Sequence, residues 1–137
     1  MTVNIGDIIL VEYRDFNNEA QLGMFFVYSK DNYYLSNLKS FSTLKICTKP
    51  LSYQIFLDSK YYKFLNHDSY INCGCQQRFH EKQVKQILGT VNSYTLEKVQ
   101  VQLNQFNKDV NMQLDNAISH YRRLTKSYSV NQNNSNK

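Results

Sequence analysis

Two stretches near the N-terminus set the class of fold. Ile8-Ile9-Leu10-Val11 is apolar at every position, and residues 21–29 carry Leu22, Met24, Phe26 and Tyr28 on one side of an extended chain with Phe25 and Val27 on the other. Successive side chains of a strand point to opposite faces, so a strand that is apolar on both is covered on both. Two such strands, separated only by the polar loop 14–19, call for a sheet that has cover on either side or curls on itself. Gly23 in the second strand marks a bulge or the close approach of another backbone.

Turn residues divide the middle of the chain. Lys30-Asp31-Asn32 reads as a turn, residues 33–38 as a strand broken at 39–42 and resumed over 43–48, and Pro50 ends the pairing. Residues 51–57 form a further strand. Asp58-Ser59 caps a short helix over 60–65. Residues 69–75 read as a late strand, with Tyr70, Asn72 and Gly74 on one face and Ile71, Cys73 and Cys75 on the other. It runs into the polar Gln76-Gln77-Arg78, and a strand with a polar end on a compact β domain is a natural groove wall. Residues 81–88 predict a second short helix stopped at Gly89, and Thr90-Val91 a last short strand.

Asn92 or Ser93 caps a long helix. Leu96, Val99, Leu103, Phe106, Val110, Leu114, Ala117 or Ile118, Tyr121 and Leu124 recur at steps of three or four. They form one narrow stripe on a helix about 45 Å long. A compact domain of this length has a radius of gyration of only about 14 Å, so the second half of the stripe covers something else. Val110, Leu114, Ile118 and Tyr121 are the candidate partner or self-association surface. Arg122, Arg123 and Lys126 suit the negative end of the helix. The expected division is a β domain over 1–93, the helix over 94–127 and a disordered tail over 128–137.

Charge and cysteine usage bound the function. The net charge is +5, with ten Lys/Arg against eight Asp/Glu in residues 1–93 and six against three in 94–137. That mild excess suits RNA or an acidic partner and is weaker than a duplex-binding domain carries. Three cysteines and no basic-then-apolar leader argue against a disulfide framework and for a cytoplasmic protein. Cys73-x-Cys75 with His67 and His80 lacks the paired ligand motifs of a structural zinc site. Neither a metal nor a cofactor is expected. There is no phosphate-binding glycine loop, metalloprotease helix or nucleophile elbow.

The pieces occur in a recognisable order: Gly6-Asp7-Ile8-Ile9-Leu10-Val11, residues 21–29, Ile46-Cys47-Thr48-Lys49, Leu57-Asp58-Ser59-Lys60-Tyr61-Tyr62, Asp68-Ser69-Tyr70-Ile71, Leu88-Gly89-Thr90-Val91 and Leu96-Glu97-Lys98-Val99. Over residues 4–105 this set resembles the MazF/PemK toxins of bacterial toxin–antitoxin systems. The resemblance implies a mainly β fold with helices: a small, partly open Src-homology-3-like β-barrel of the MazF/PemK/CcdB kind, here with a long C-terminal helix. It implies a homodimer that cleaves single-stranded mRNA at selected sequences without a metal. Gln21 and Gly23 match the family's Gln-x-Gly, and Met24 and Phe25 stand where its Arg-Pro would come next. Thr48 matches the family's Thr. Gln77 falls in the slot where an Arg is expected, and Arg78 one position later.

The resemblance therefore points to Thr48 as phosphate donor, Arg78 as charge stabiliser, Gln21, and Arg14 as a substitute cation. Gln77, Lys49, Lys45 and His80 are the expected RNA contacts. Intramolecular RNA cleavage needs a base at the attacking hydroxyl, a donor at the leaving oxygen and cations around the phosphorane. The alternative is a relative that keeps the barrel but not the chemistry. It would bind a protein, such as an acidic antitoxin, or RNA through the groove and the long helix.

Overall fold

The computed structural model describes the backbone of residues 2–35 and 38–135 and the side chains of residues 2–30 and 39–125. Six strands, β1 Asp7–Arg14, β2 Ala20–Leu35, β3 Leu38–Cys47, β4 Gln54–Leu57, β5 Ser69–His80 and β6 Val84–Thr90, precede one helix, α1 Ser93–Ser135. The strands form a single antiparallel sheet in the order β4-β5-β3-β2-β1-β6. β5 and β6 lie four positions apart in that order, about 19 Å in a flat sheet. Yet only the three-residue 3-10 turn Glu81–Gln83 joins them, and three residues reach at most about 11 Å. The sheet must curl, and it does so into a half-barrel.

The curl makes one core. Ile9 and Val11 of β1, Phe25 and Val27 of β2, Phe41 of β3, Phe79 of β5 and Val84 of β6 pack as one buried cluster. At its centre three rings meet, with Phe25 and Phe79 centroids 4.6 Å apart and Tyr13 5.6 Å from Phe25, close enough for edge-to-face attraction. The opposite side chains of the same strands, Ile8, Phe26, Leu44, Ile46 and Ile71, are buried as well. With them are buried Tyr62, Leu65, Val91 and the α1 residues Val99 and Leu103. The Tyr62 and Thr95 hydroxyls share a hydrogen bond of 3.0 Å there. Asn92 caps α1 as expected, its Oδ1 accepting the Thr95 N–H at 2.8 Å.

Several local expectations are corrected. β2 continues through residues 30–32, where a turn was expected, to Leu35. β3 runs unbroken through 39–42, and the connection at 36–37 lies outside the described residues. Residues 60–65 form successive turns and no helix. Asp58 Oδ1 does accept the Lys60 N–H at 2.8 Å, so a capping bond forms without a helix behind it. Residues 84–88 are strand, paired with the edge of β1 that β2 leaves open; Ile8, Ile9 and Val11 of β1 are fully buried, so that edge has no water to satisfy its backbone groups. The gap at Gly23 admits the rings of Tyr13 and Phe25 and not a backbone; a Cβ there would come within 2.9 Å of Phe25 Cε2.

The chain divides into two compact units, Met1–Leu103 and Asn104–Lys137. The first holds the sheet and the opening turns of α1; the second is the remainder of that helix. The backbone of α1 runs to Ser135, past the end expected at 127, and the side chains of the expected tail lie outside those described. Among the described residues no helix is long and apolar enough to cross a membrane.

Candidate functional site

The β1–β2 turn is built around Asp15. Its Oδ1 accepts the backbone N–H groups of Asn17 and Glu19, each at 2.9 Å, and its Oδ2 accepts the Gln21 amide at 2.9 Å. These bonds, that of Glu19 foremost, hold its carboxyl below the usual range. Asn18 takes the left-handed φ of 61° that asparagine tolerates. Its carbonyl accepts Arg14 Nη1 at 3.1 Å, which turns the guanidinium along the hairpin. Arg14 lines a pocket of about 220 Å³ with Glu12, Tyr13, Ala20, Lys82, Gln83 and Lys85. Lys85 and Glu12 pair at 2.9 Å, and that bond and charge hold the Glu12 carboxyl low. Arg14 and Lys82 add two further positive charges to the same pocket.

Thr48 and Lys49 come directly after the last residue of β3. The described β2–β3 pairing ends at Met24 opposite Ile46. Gln21 thus lies three residues beyond the ladder, Thr48 two and Lys49 three, at the same end of the sheet as Arg14. The fold brings Arg14, Gln21, Thr48 and Lys49 to one end of the neighbouring strands β1, β2 and β3. Lys45 is half-buried three residues inward from Thr48, opposite Phe25 and Asn72.

β5 does not continue that group. Its register to β3 jumps from Lys45 opposite Asn72 to Leu44 opposite Gln76, so Cys73-Gly74-Cys75 is a bulge. Three inserted residues flip the alternation. Ile71 and Cys73 are buried as expected, but Asn72 is buried too, at 1% exposure, while Cys75 is only half-buried. Beyond the bulge Gln77 faces Thr43, Arg78 faces Ser42 and His80 faces Ser40. Ser42 is six residues from Thr48, about 20 Å of strand, so the structure does not bring Arg78 and Thr48 together.

Arg78, Gln77 and Gln76 instead line a second pocket, of about 200 Å³, with Tyr28 and Ser42. The Tyr28 hydroxyl donates to Gln76 Oε1 at 3.3 Å and the Thr43 hydroxyl to the Gln77 carbonyl at 2.8 Å. The His80 backbone N–H is held by Gln83 Oε1 at 2.9 Å, and the two residues form a capping box at the start of the turn Glu81–Gln83. His67 is exposed in the loop before β5. Val110, Leu114, Ile118 and Tyr121 all lie in the second unit and are exposed.

Lys82, Lys85 and Glu12 were not singled out in the sequence. Reading 81–88 as one helix hid that Lys85 lies on β6 and Lys82 on the turn just before it; the edge of β1 that β2 leaves open was the signal that would have restored them. Tyr28 and Ser42 escaped because the register shift of β2 against β3 between Val27 and Ser29, which sets Ser29 opposite Ser42, has no signature in the sequence. A third and larger cavity, about 610 Å³, runs along β4 beside the start of α1. It is lined by Gln54, Ile55, Phe56, Tyr94, Glu97, Lys98, Val101 and Gln102, and Lys98 stands 4.4 Å over the Tyr94 ring. Among the described residues no three His, Cys, Asp or Glu side chains gather as a metal site would need.

No family model matches the sequence, and no curated protein matches it. Solved structures do match the fold. An endoribonuclease in complex with its cognate antitoxin, from mycobacterial species, superposes with a TM-score of 0.56 at 13% identity, over 76% of this chain and 93% of that one. The Mycobacterium tuberculosis toxin MazF-mt6 gives 0.55 at 14% identity, over 74% of this chain and 96% of that one. Strand order, curl and these superpositions agree that the chain has the fold of the MazF toxins.

Proposed function

We propose that the protein is a MazF-like endoribonuclease that acts on single-stranded RNA at the β1–β2–β3 end of the half-barrel. What supports this is that Arg14, Gln21, Thr48 and Lys49 lie at the same end of adjacent strands, and that Lys82 and Lys85 line the Arg14 pocket, on a fold shared with an endoribonuclease. Arg14 supplies the cation for the phosphorane. Thr48 donates its hydroxyl to a phosphate oxygen, and Lys49, Lys82 and Lys45 guide the backbone of the strand. Gln21 spends its amide N–H on Asp15 and keeps its oxygen as an acceptor. Gln77, Arg78 and His80 form a second contact further along the RNA. A homodimer in the cytoplasm, checked by an antitoxin, completes the reading, since the neighbouring endoribonuclease is held by its cognate antitoxin.

The test is incubation of the purified chain with single-stranded RNA in the presence of a metal chelator. Cleavage that falls at least about 100-fold in Arg14→Ala and in Thr48→Ala is expected. The separation of Arg78 from Thr48 favours a second reading, a module that binds RNA without cutting it. Salt-sensitive binding with intact RNA at high protein excess selects that reading. Neither binding nor cleavage removes both.

A further inference from the structure

In the second unit, Asn104–Lys137, every side chain over 110–125 is exposed, including Val110, Leu114, Ile118, Tyr121 and Leu124. Their steps of four, four, three and three place them on one face of the helix. A lone helix of this length is marginal in water, and protein helices draw most of their stability from burying such a face. Charge indicates what buries it. Asp115 flanks the first half of the stripe and Arg122 the second, each one residue after a stripe position, Leu114 and Tyr121, and so on the same flank. Two parallel copies would set carboxylates beside carboxylates and guanidinia beside guanidinia. Two antiparallel copies set the acidic half of each beside the basic half of the other.

The spacing is self-complementary in the same sense. Reversal about a point between Ala117 and Ile118 carries Leu114 onto Tyr121 and brings Val110 beside Leu124 and Thr125. Ala117, small and central, lets the two backbones approach. We propose that segment 110–125 pairs antiparallel with the same segment of a second copy of this chain, across a two-fold axis between Ala117 and Ile118. The pairing does not depend on the RNA reading, because it uses none of the residues assigned to it.

The full chain tests this with nitroxide labels on single cysteines, Ser119→Cys or Lys108→Cys, introduced after Cys47→Ser, Cys73→Ala and Cys75→Ser. Paired labels at position 119 are offset by three residues, about 5 Å along the axis, and those at 108 by nineteen, about 29 Å. A short distance at 119 and a long one at 108 is expected, and Leu114→Glu abolishes both. Equal short distances at the two positions mean parallel pairing and overturn the proposal. So does the absence of any distance between copies, which would leave the face to a different protein. Should the cysteine-free chain not fold, sedimentation of charge variants in the native-cysteine chain decides. Asp115→Arg and Arg122→Asp each weaken association at least tenfold, and the double reversal restores it. An unchanged mass in all three overturns the pairing.

Discussion

Gly89 of β6 lies under the ring of Phe64: a Cβ built on Gly89 would stand 2.6 Å from Phe64 Cε1 and 3.0 Å from Cδ1. The ring belongs to the run of turns before β5, and it sits where β6 pairs with β1, Gly89 opposite Ile8. Gly89→Ala forces that ring out of place. Overpacking of this kind costs about 1–3 kcal/mol, a fall in Tm of roughly 3–10 °C for a chain of this length. Thermal denaturation of Gly89→Ala, Phe64→Ala and the double variant checks it. The double variant is expected to lose less than the two singles combined, because removing the ring removes the collision.

Cys73 is buried in the β5 bulge, and burial pushes its thiol up to about 11. Cys47 and Cys75 are half-buried. In the native state at pH 8 Cys73 is expected to react with iodoacetamide at least about 100-fold more slowly than a thiol of ordinary pKa. All three react together after denaturation. Mass spectrometry of digests from a time course reads the order; labelling of Cys73 first would contradict the burial.

The same thiol gives a pH dependence. Its folded pKa lies above its unfolded one, so the stabilisation is fully present below about pH 9 and is lost as the pH rises towards 11. The loss is up to about 2 kcal/mol. Urea midpoints measured over that range are expected to fall less for Cys73→Ala than for the native chain.

Arg14 and Lys82 share a pocket, and each is expected to meet an RNA phosphate. Each contact removed lowers the slope of log affinity against log salt by about 0.7 on a single strand. Arg14→Ala with Lys82→Ala should therefore flatten the slope by about 1.4, measured by fluorescence anisotropy with a short labelled oligonucleotide. A slope equal to that of the native chain would move the RNA away from this pocket.

Asn92 caps the long helix through the Thr95 N–H, and its amide donates to the Tyr61 hydroxyl at 3.3 Å. Asn92→Ala is expected to cost about 1 kcal/mol, and Asn92→Asp, which keeps the acceptor, much less. Chemical denaturation of both variants gives the difference.

Some features of the fold were fixed by local chemistry and could be read directly. The doubly apolar runs of β1 and β2, the Asn92 cap and the helical stripe from Leu96 onward declare themselves because each depends on neighbours in sequence. The order of short pieces was enough to indicate the MazF kind of barrel. Other features were set across the sheet and had no local signature. Residues 84–88 have a helical look in isolation and became β6 because the buried edge of β1 that β2 leaves open needs backbone partners. Residues 60–65 began like a helix and became turns that place Phe64 on Gly89.

The same division runs through the candidate site. Arg14, Gln21, Thr48 and Lys49 were named from the chain alone, and the hairpin and strand ends place them at one end of the sheet. The strand 69–79 was expected to complete that group. Its alternation is broken by Cys73-Gly74-Cys75, a bulge visible only in the register against β3, which sets Arg78 beside Ser42 and away from Thr48. The sequence by itself determined which strands are buried, where the long helix starts and which cations are available. The tertiary structure decided which cations share a pocket, because a strand's partners, and so the face and height of each side chain, depend on pairings between residues far apart in the chain.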